Sequence, residues 1–141
     1  LRGAEMIANT IRPHVAIITD VTHDTNTPLV NNKIQGDIKC GLGPVLTYAP
    51  AVHNLLLEQV IGVAEAKKID FQRSASSRST GTDTDAFAYS NGGVPSVLIS
   101  LPLRYMHTTV EMAHKTDVES VTQLIYESLL SIKAGQSFKY F

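Results

Sequence analysis

At 141 residues the chain has the size of one domain and the length to bury a real core. Hydrophobic residues make up 43% and charged ones 18%, which excludes a disordered or fibrous chain, and a net charge of -1 without a basic run offers nothing to nucleic acid or an anionic membrane. No apolar stretch approaches the roughly 20 residues that span a bilayer, no signal-peptide pattern opens the chain, and the one cysteine, Cys40, leaves no internal disulfide, in keeping with a reducing cytoplasm.

Residues 1–12 read as an amphipathic helix, because Leu1, Ala4, Ile7, Ala8 and Ile11 follow one helical face and Pro13 disfavours helical geometry in the residue before it. The opening at Leu1, with no methionine and no capping residue, leads us to expect a piece of a longer polypeptide, cut at or just inside a helix. Val15 to Thr19 is a β-branched, apolar run, the pattern of a strand buried on both faces of a parallel sheet, and Asp20 follows where that run stops. Residues 21–33, rich in Thr, Asn and Asp, read as a loop. Glycines at 36, 41 and 43 punctuate the next stretch, with short strands expected at 37–40 and 45–47.

Residues 51–68 carry Val52, Leu55, Leu56, Val60, Val63 and Ala64 at helical spacing and are expected to lie on the sheet. Residues 69–73 alternate apolar and polar, as a strand near the sheet's edge does. Residues 74–84 are small and hydroxyl-rich, a loop, and 85–89 begin a short helix stopped by Asn91-Gly92-Gly93. Val94 to Leu101 is the central apolar strand, ending at Pro102. Thr116 and Glu119 have the spacing of a capping box for a last helix whose apolar face is Val118, Val121, Leu124, Ile125, Leu129 and Ile132, with Gly135 ending it at about Ala134. This order makes an α/β sheet with helices on its faces, one domain, and no internal repeat.

Chemistry is expected at the carboxyl ends of strands, where open α/β sheets bind ligands. Asp20 ends one run and His107 follows the other through Pro102-Leu103-Arg104-Tyr105-Met106, so one strand end offers a carboxylate and another an imidazole. These are ligand types that zinc or cobalt accepts. Asp20 at a strand's end reads first as the cap of a turn, and His107 also reads as a half-buried histidine bonded to a backbone carbonyl. The pair has no diagnostic spacing of its own. Gly81-Thr82-Asp83-Thr84-Asp85 resembles paired carboxylates for glycoside hydrolysis, but in a hydroxyl-rich loop it is more simply a helix start, with Thr82 or Asp83 as the cap. Gly41-Leu42-Gly43-Pro44 lacks the third glycine of a dinucleotide fingerprint, and the chain has no Gly-x-Ser-x-Gly. His23, His53 and His114 have no partners in sequence and read as surface or structural residues.

Taken together, Ile18-Thr19-Asp20-Val21-Thr22-His23, Gly41-Leu42-Gly43-Pro44, Gly81-Thr82-Asp83-Thr84-Asp85-Ala86 and Pro102-Leu103-Arg104-Tyr105-Met106-His107-Thr108-Thr109-Val110-Glu111 resemble the glutamyl-aminopeptidase family of dinuclear metallopeptidases, some of whose members carry the label endoglucanase. The resemblance runs from Leu1 to about Lys133. It implies a zinc-exopeptidase-like α/β fold, an open mixed but mainly parallel sheet with helices on both faces. It also implies two divalent metal ions, zinc or cobalt with manganese in the same ligand class, of which Asp20 and His107 each hold one. In the family a glutamate is the general base that draws a proton from the bridging water.

The same resemblance implies that the early histidine, the bridging aspartate and the two adjacent glutamates lie before Leu1. No catalytic residue is therefore expected within residues 1–141, which would be the carboxy-terminal part of a single metallopeptidase catalytic domain, inactive alone. Arg104 and Tyr105 are expected to line the substrate pocket or steady the oxyanion, with pairing of Arg104 to Asp83 or Glu111 as the competing reading. Gly81 to Asp85, with Gly81, Thr82 and Asp83 as the substrate-binding residues, is expected to form a pocket wall or to support the metal shell without supplying ligands. The implied partners are a peptide substrate and, for the full-length protein, further copies of itself. The rival functions are a polysaccharide hydrolase without metal dependence and a binding or assembly subunit that keeps the fold.

Overall fold

The computed structural model describes residues 1–138 and Tyr140. In chain order the elements are α1 (Arg2–Ile11), β1 (Ala16–His23), α2 (Asn32–Gln35), β2 (Val45–Tyr48), α3 (Asn54–Lys67), β3 (Gln72–Ala75), α4 (Asp83–Ala88), β4 (Ser96–Arg104), β5 (Met112–Ala113) and α5 (Lys115–Ser131). The strands form one open mixed sheet in the order β1-β4-β2-β3, with β5 also paired to β4. Parallel pairing dominates: β1 runs with β4 from Ala16↔Ser96 to His23↔Leu103, and β2 with β3 from Val45↔Gln72 to Tyr48↔Ala75. β2 meets β4 antiparallel at Val45↔Ser100 and Leu46↔Ile99.

Both parallel strands outrun their apolar segments. β1 continues through Asp20, Val21 and Thr22 to His23, and β4 passes through Pro102 to Arg104, so neither stops where hydropathy does. The cause is pairing, since each strand supplies the other's ladder bonds irrespective of side-chain polarity. Pro102 is tolerated because an extended residue points its N and C=O to the same side. The Pro102 carbonyl faces Cys40, whose Sγ donates to it at 3.3 Å, so the missing N–H is not taken from the ladder with β1.

Helices α3 and α5 pack together over the sheet, and α4 packs on β1 and β4 and carries α1. The main core joins Leu56, Leu57, Val60, Ile61 and Ala64 of α3 to Leu46 of β2, Val97, Leu98 and Ile99 of β4, and Val121 and Leu124 of α5. Each fully buried leucine there contributes about 1.5–3 kcal/mol of transfer free energy.

Several boundaries differ from expectation. Ala51 and Val52 are buried in the turn before α3, and Leu55 is exposed while Leu57 and Ile61 face inward. The strand expected at 69–73 lies at Gln72–Ala75, because Ile69 instead closes the end of α3, its N–H bonded to the Ala64 carbonyl at 2.9 Å and its side chain in the core. Residues 37–40 form no strand; side chains satisfy their backbone, with Thr25 Oγ1 accepting the Ile38 N–H and Gln72 Oε1 the Lys39 N–H. A one-turn helix, α2, follows on the expected 21–33 loop and takes its last two residues, its start capped by Asn31.

The capping box of the last helix does not form. α5 starts two residues earlier in the chain, after His114, and Asp117 of its first turn is buried and turned inward. The Thr116 hydroxyl bonds His114 Nδ1 at 2.7 Å, and Glu119 pairs with Lys115 at 3.7 Å. The buried face is therefore Asp117, Val121, Leu124 and Ser128, while Val118 and Leu129 are exposed, and the helix ends at Ser131 before Gly135 is reached.

Candidate functional site

Asp20 is the fifth residue of β1 and stands opposite Ser100 on β4. It is half-buried over a hollow of about 250 Å³ that it shares with Leu101 and with Val118, Val121 and Thr122 of α5. Oδ1 accepts the N–H of Val21 at 2.8 Å, which fixes the carboxylate plane, and Oδ2 accepts no bond among the described residues. The competing turn-cap reading of Asp20 does not apply, since Val21 is itself within the strand.

His107 lies three residues beyond β4, in a turn where it and Tyr105 adopt left-handed backbone at φ 65° and 55°. Its ring is exposed and makes no hydrogen bond among the described residues, which removes the reading of a histidine tied to a backbone carbonyl. Its N–H donates to Glu111 Oε1 at 2.5 Å. The chain then returns along β4 as β5, pairing Leu103↔Ala113 and Arg104↔Met112.

Arg104 is the last residue of β4. Its guanidinium lies 5.3 Å from the centroid of the Tyr105 ring, and its buried Nε has no partner among the described residues. It pairs with neither Asp83 nor Glu111, so the competing expectation for it fails. Asp83 lies in the first turn of α4, and Glu111 is engaged by the His107 N–H. Thr82 caps α4, accepting the Thr84 N–H at 3.3 Å, while Asp85 turns back to accept the N–H groups of Thr80 and Gly81 at 3.1 and 2.9 Å. The two carboxylates thus serve a helix start, as the bland reading of that loop has it.

Beneath the rim lies a buried polar cluster that hydropathy and spacing do not reveal. Asp24, just after β1, is 3% exposed; its N–H donates to the Leu103 carbonyl at 2.8 Å, and its carboxylate accepts the N–H groups of Asn26 and Cys40. Asp117 accepts those of Gly41 and Gly43 at 2.6 and 2.9 Å. Between these carboxylates the Cys40 thiol is pushed up to about 11, first by burial and then by the neighbouring carboxylates of Asp24 and Asp117. It is a protonated structural thiol, not a nucleophile. The Asp-x-Asn spacing of an Asx turn is the one local signal of Asp24; nothing local marks Asp117.

The larger hollow, about 970 Å³, lies at the opposite end of the strands, where His14 and Val94 precede β1 and β4. Its His53 ring stacks on Tyr140 at 4.4 Å, and burial pushes its imidazole below the ordinary value against the opposing backbone bond to Phe138. Among the described residues no group of three or more His, Cys, Asp or Glu is placed to hold a metal ion, and no helix is long and apolar enough to cross a membrane.

The profile of the M42 glutamyl aminopeptidases matches residues 1–124. A lysyl aminopeptidase of Pyrococcus furiosus is 35% identical over 133 residues, covering 94% of this chain and 38% of the relative. The chain thus spans less than two-fifths of that protein's length. Among solved structures, a TET aminopeptidase from a marine sediment Thaumarchaeota archaeon matches with a TM-score of 0.80 and 32% identity over 89% of this chain and 35% of its own. The TET1 peptidase of Pyrococcus horikoshii, which can assemble into a tetrahedron or a large octahedral shell, matches with a TM-score of 0.72 and 29% identity over 91% and 36%. By sequence and by fold, the chain belongs to the M42 glutamyl aminopeptidase family.

Proposed function

We propose that this chain is part of a two-metal aminopeptidase that hydrolyses the amino-terminal peptide bond of peptides, and that Asp20 and His107 are its contribution to the metal shell. The observation that carries the reading is the parallel register of β1 with β4. The strand bearing Asp20 and the strand leading to His107 are neighbours running towards one end of the sheet, the end at which such sheets bind ligands. The donors fit: Asp20 Oδ2 and both ring nitrogens of His107 are without partners among the described residues, and a carboxylate with an imidazole suits zinc or cobalt, and manganese by the same ligand types. When bound, two such ions supply an acidified water and polarise the scissile carbonyl.

The chain's own groups would act around that chemistry. Asp20, held by the Val21 N–H, presents a fixed negative charge and a free oxygen. His107 ligates as the neutral imidazole. The buried Arg104 Nε lacks an acceptor, a costly state for a donor, and a substrate carbonyl or the oxyanion formed from it would supply one. Tyr105, against the guanidinium, steadies it. The turn of Gly81, Thr82 and Asp83, which starts α4, would form a wall of the peptide pocket. The remaining ligands and the general-base glutamate come from outside these 141 residues, which makes the chain the carboxy-terminal part of the catalytic domain and inactive on its own. A homo-oligomeric full-length protein in the cytoplasm completes the proposal.

The test is metal content and hydrolysis of amino-acid anilides by the full-length polypeptide, beside Asp20→Ala and His107→Ala. Two metals per chain are expected, with metal affinity and kcat/KM falling at least about 100-fold in each variant, since even losses around a ligand cost about 10–100-fold. Cleavage of soluble cellulose by a metal-free protein indifferent to His107→Ala would overturn it.

A further inference from the structure

The turn that presents His107 is an unfavourable one. Tyr105 and His107 both carry a Cβ yet occupy left-handed backbone, at φ 55° and 65°, and such residues persist only where surrounding contacts over-determine them. The base of the turn is closed by the pairing of Arg104 with Met112. On its first half, Thr108 donates its N–H and its hydroxyl to the Tyr105 carbonyl, at 3.2 and 2.6 Å, and its Oγ1 accepts the Val110 N–H at 3.2 Å.

None of those bonds touches His107. The bond that does comes from Glu111, which folds back four residues so that Oε1 accepts the His107 N–H at 2.5 Å. A carboxylate accepting from a backbone amide makes a charge-assisted bond, stronger than a neutral one. Glu111 forms no ion pair among the described residues, so this bond is its one polar commitment. Metal-ligating histidines are commonly oriented by a carboxylate or carbonyl on their second ring nitrogen. His107 has no such partner among the described residues, so the one bond these residues give it acts on the backbone that carries the ring.

We propose that Glu111 is the positioning residue of His107: by accepting the His107 N–H it holds the left-handed turn in which the imidazole is presented as a ligand. It touches neither metal nor substrate. The inference rests on the reading of His107 as a metal ligand.

Two measurements on Glu111→Ala, Glu111→Gln and His107→Ala test it. The first is exchange of the His107 amide hydrogen in the metal-free full-length polypeptide, followed by hydrogen–deuterium exchange mass spectrometry with fragmentation to single residues. The second is zinc affinity of the full-length polypeptide, by competition with a chromophoric chelator, with the cobalt absorption spectrum as a reporter of the ligand set. In Glu111→Ala the amide is expected to exchange at least about 10-fold faster and zinc affinity to fall about 10–100-fold, with the cobalt spectrum keeping the same ligand set. Glu111→Gln, which retains an acceptor oxygen without the charge, recovers part of both. A Glu111→Ala protein with an unchanged amide, or with unchanged zinc affinity while His107→Ala has lost it, overturns the positioning role alone. Unchanged affinity in His107→Ala overturns the ligand reading and this inference with it. A changed ligand set in the cobalt spectrum of Glu111→Ala would make Glu111 a ligand and overturn the inference as well.

Discussion

Asp117, in the first turn of α5, accepts the backbone N–H of Gly43 at 2.9 Å, and the same carboxylate accepts that of Gly41 at 2.6 Å. The bond joins segments 74 residues apart in the chain and seats the start of the last helix on the loop that leads into β2. Gly43 can take part only as glycine. Its φ is 87°, and a Cβ there would meet the Asp70 carbonyl oxygen at 2.0 Å, a backbone atom that cannot swing away.

Two substitutions should therefore behave alike. Gly43→Ala combines left-handed strain with a backbone clash and is expected to destabilise the chain by at least about 3 kcal/mol. Asp117→Ala leaves two amides without their acceptor and is expected to cost about 2–5 kcal/mol. Urea unfolding followed by circular dichroism measures both. Within about 0.5 kcal/mol of the unsubstituted chain, either result would show that the loop is not held by this pairing.

Cys40 should be a poor nucleophile while the fold is intact. With its thiol pushed up to about 11, little thiolate exists at pH 8, and alkylation by iodoacetamide is expected to run at least about 10-fold slower in the native chain than in urea. Because the native value is raised, the thiol's contribution to stability is full below the ordinary thiol range and is lost as pH climbs through about 11. Equal alkylation rates in the two states would contradict the half-buried, carboxylate-flanked environment.

His53 predicts the opposite pH dependence. Its native value is lowered by burial, so the unfolded chain binds this proton first as the solution is acidified. The neutral ring's contribution is fully present above the ordinary histidine value of 6.5 and declines as pH falls through the lower native value. Urea midpoints compared at pH 7.5 and 5 should fall less in His53→Gln than in the unsubstituted chain. Parallel behaviour of the two proteins would assign the acid sensitivity elsewhere.

Much of the architecture was legible along the chain because its signals are local. Val15 to Thr19 and Val94 to Leu101 advertise buried strands by hydropathy alone, and Thr82 with the carboxylates behind it advertises the start of α4. The motifs around Asp20, Gly41, Gly81 and His107 were enough to suggest the family that the profile over residues 1–124 then identified. A strand's length, however, is set by its neighbour. Asp20 and His23 extend β1 only because Ser100 and Leu103 stand opposite, and no pattern within 15–23 could have said so.

What the sequence by itself determined is the alternation of strands and helices, the small polar surface charge, and the residue types available at the rim. Periodicity and composition are properties of consecutive residues, and burial follows them over a few turns. Tertiary structure alone decided which face of α5 turns inward, why Gly43 cannot carry a Cβ, and which carboxylate holds His107 in its turn. Each depends on a backbone amide or carbonyl brought close by chain reversal, and every residue has those groups, so residue type leaves no trace of which ones meet.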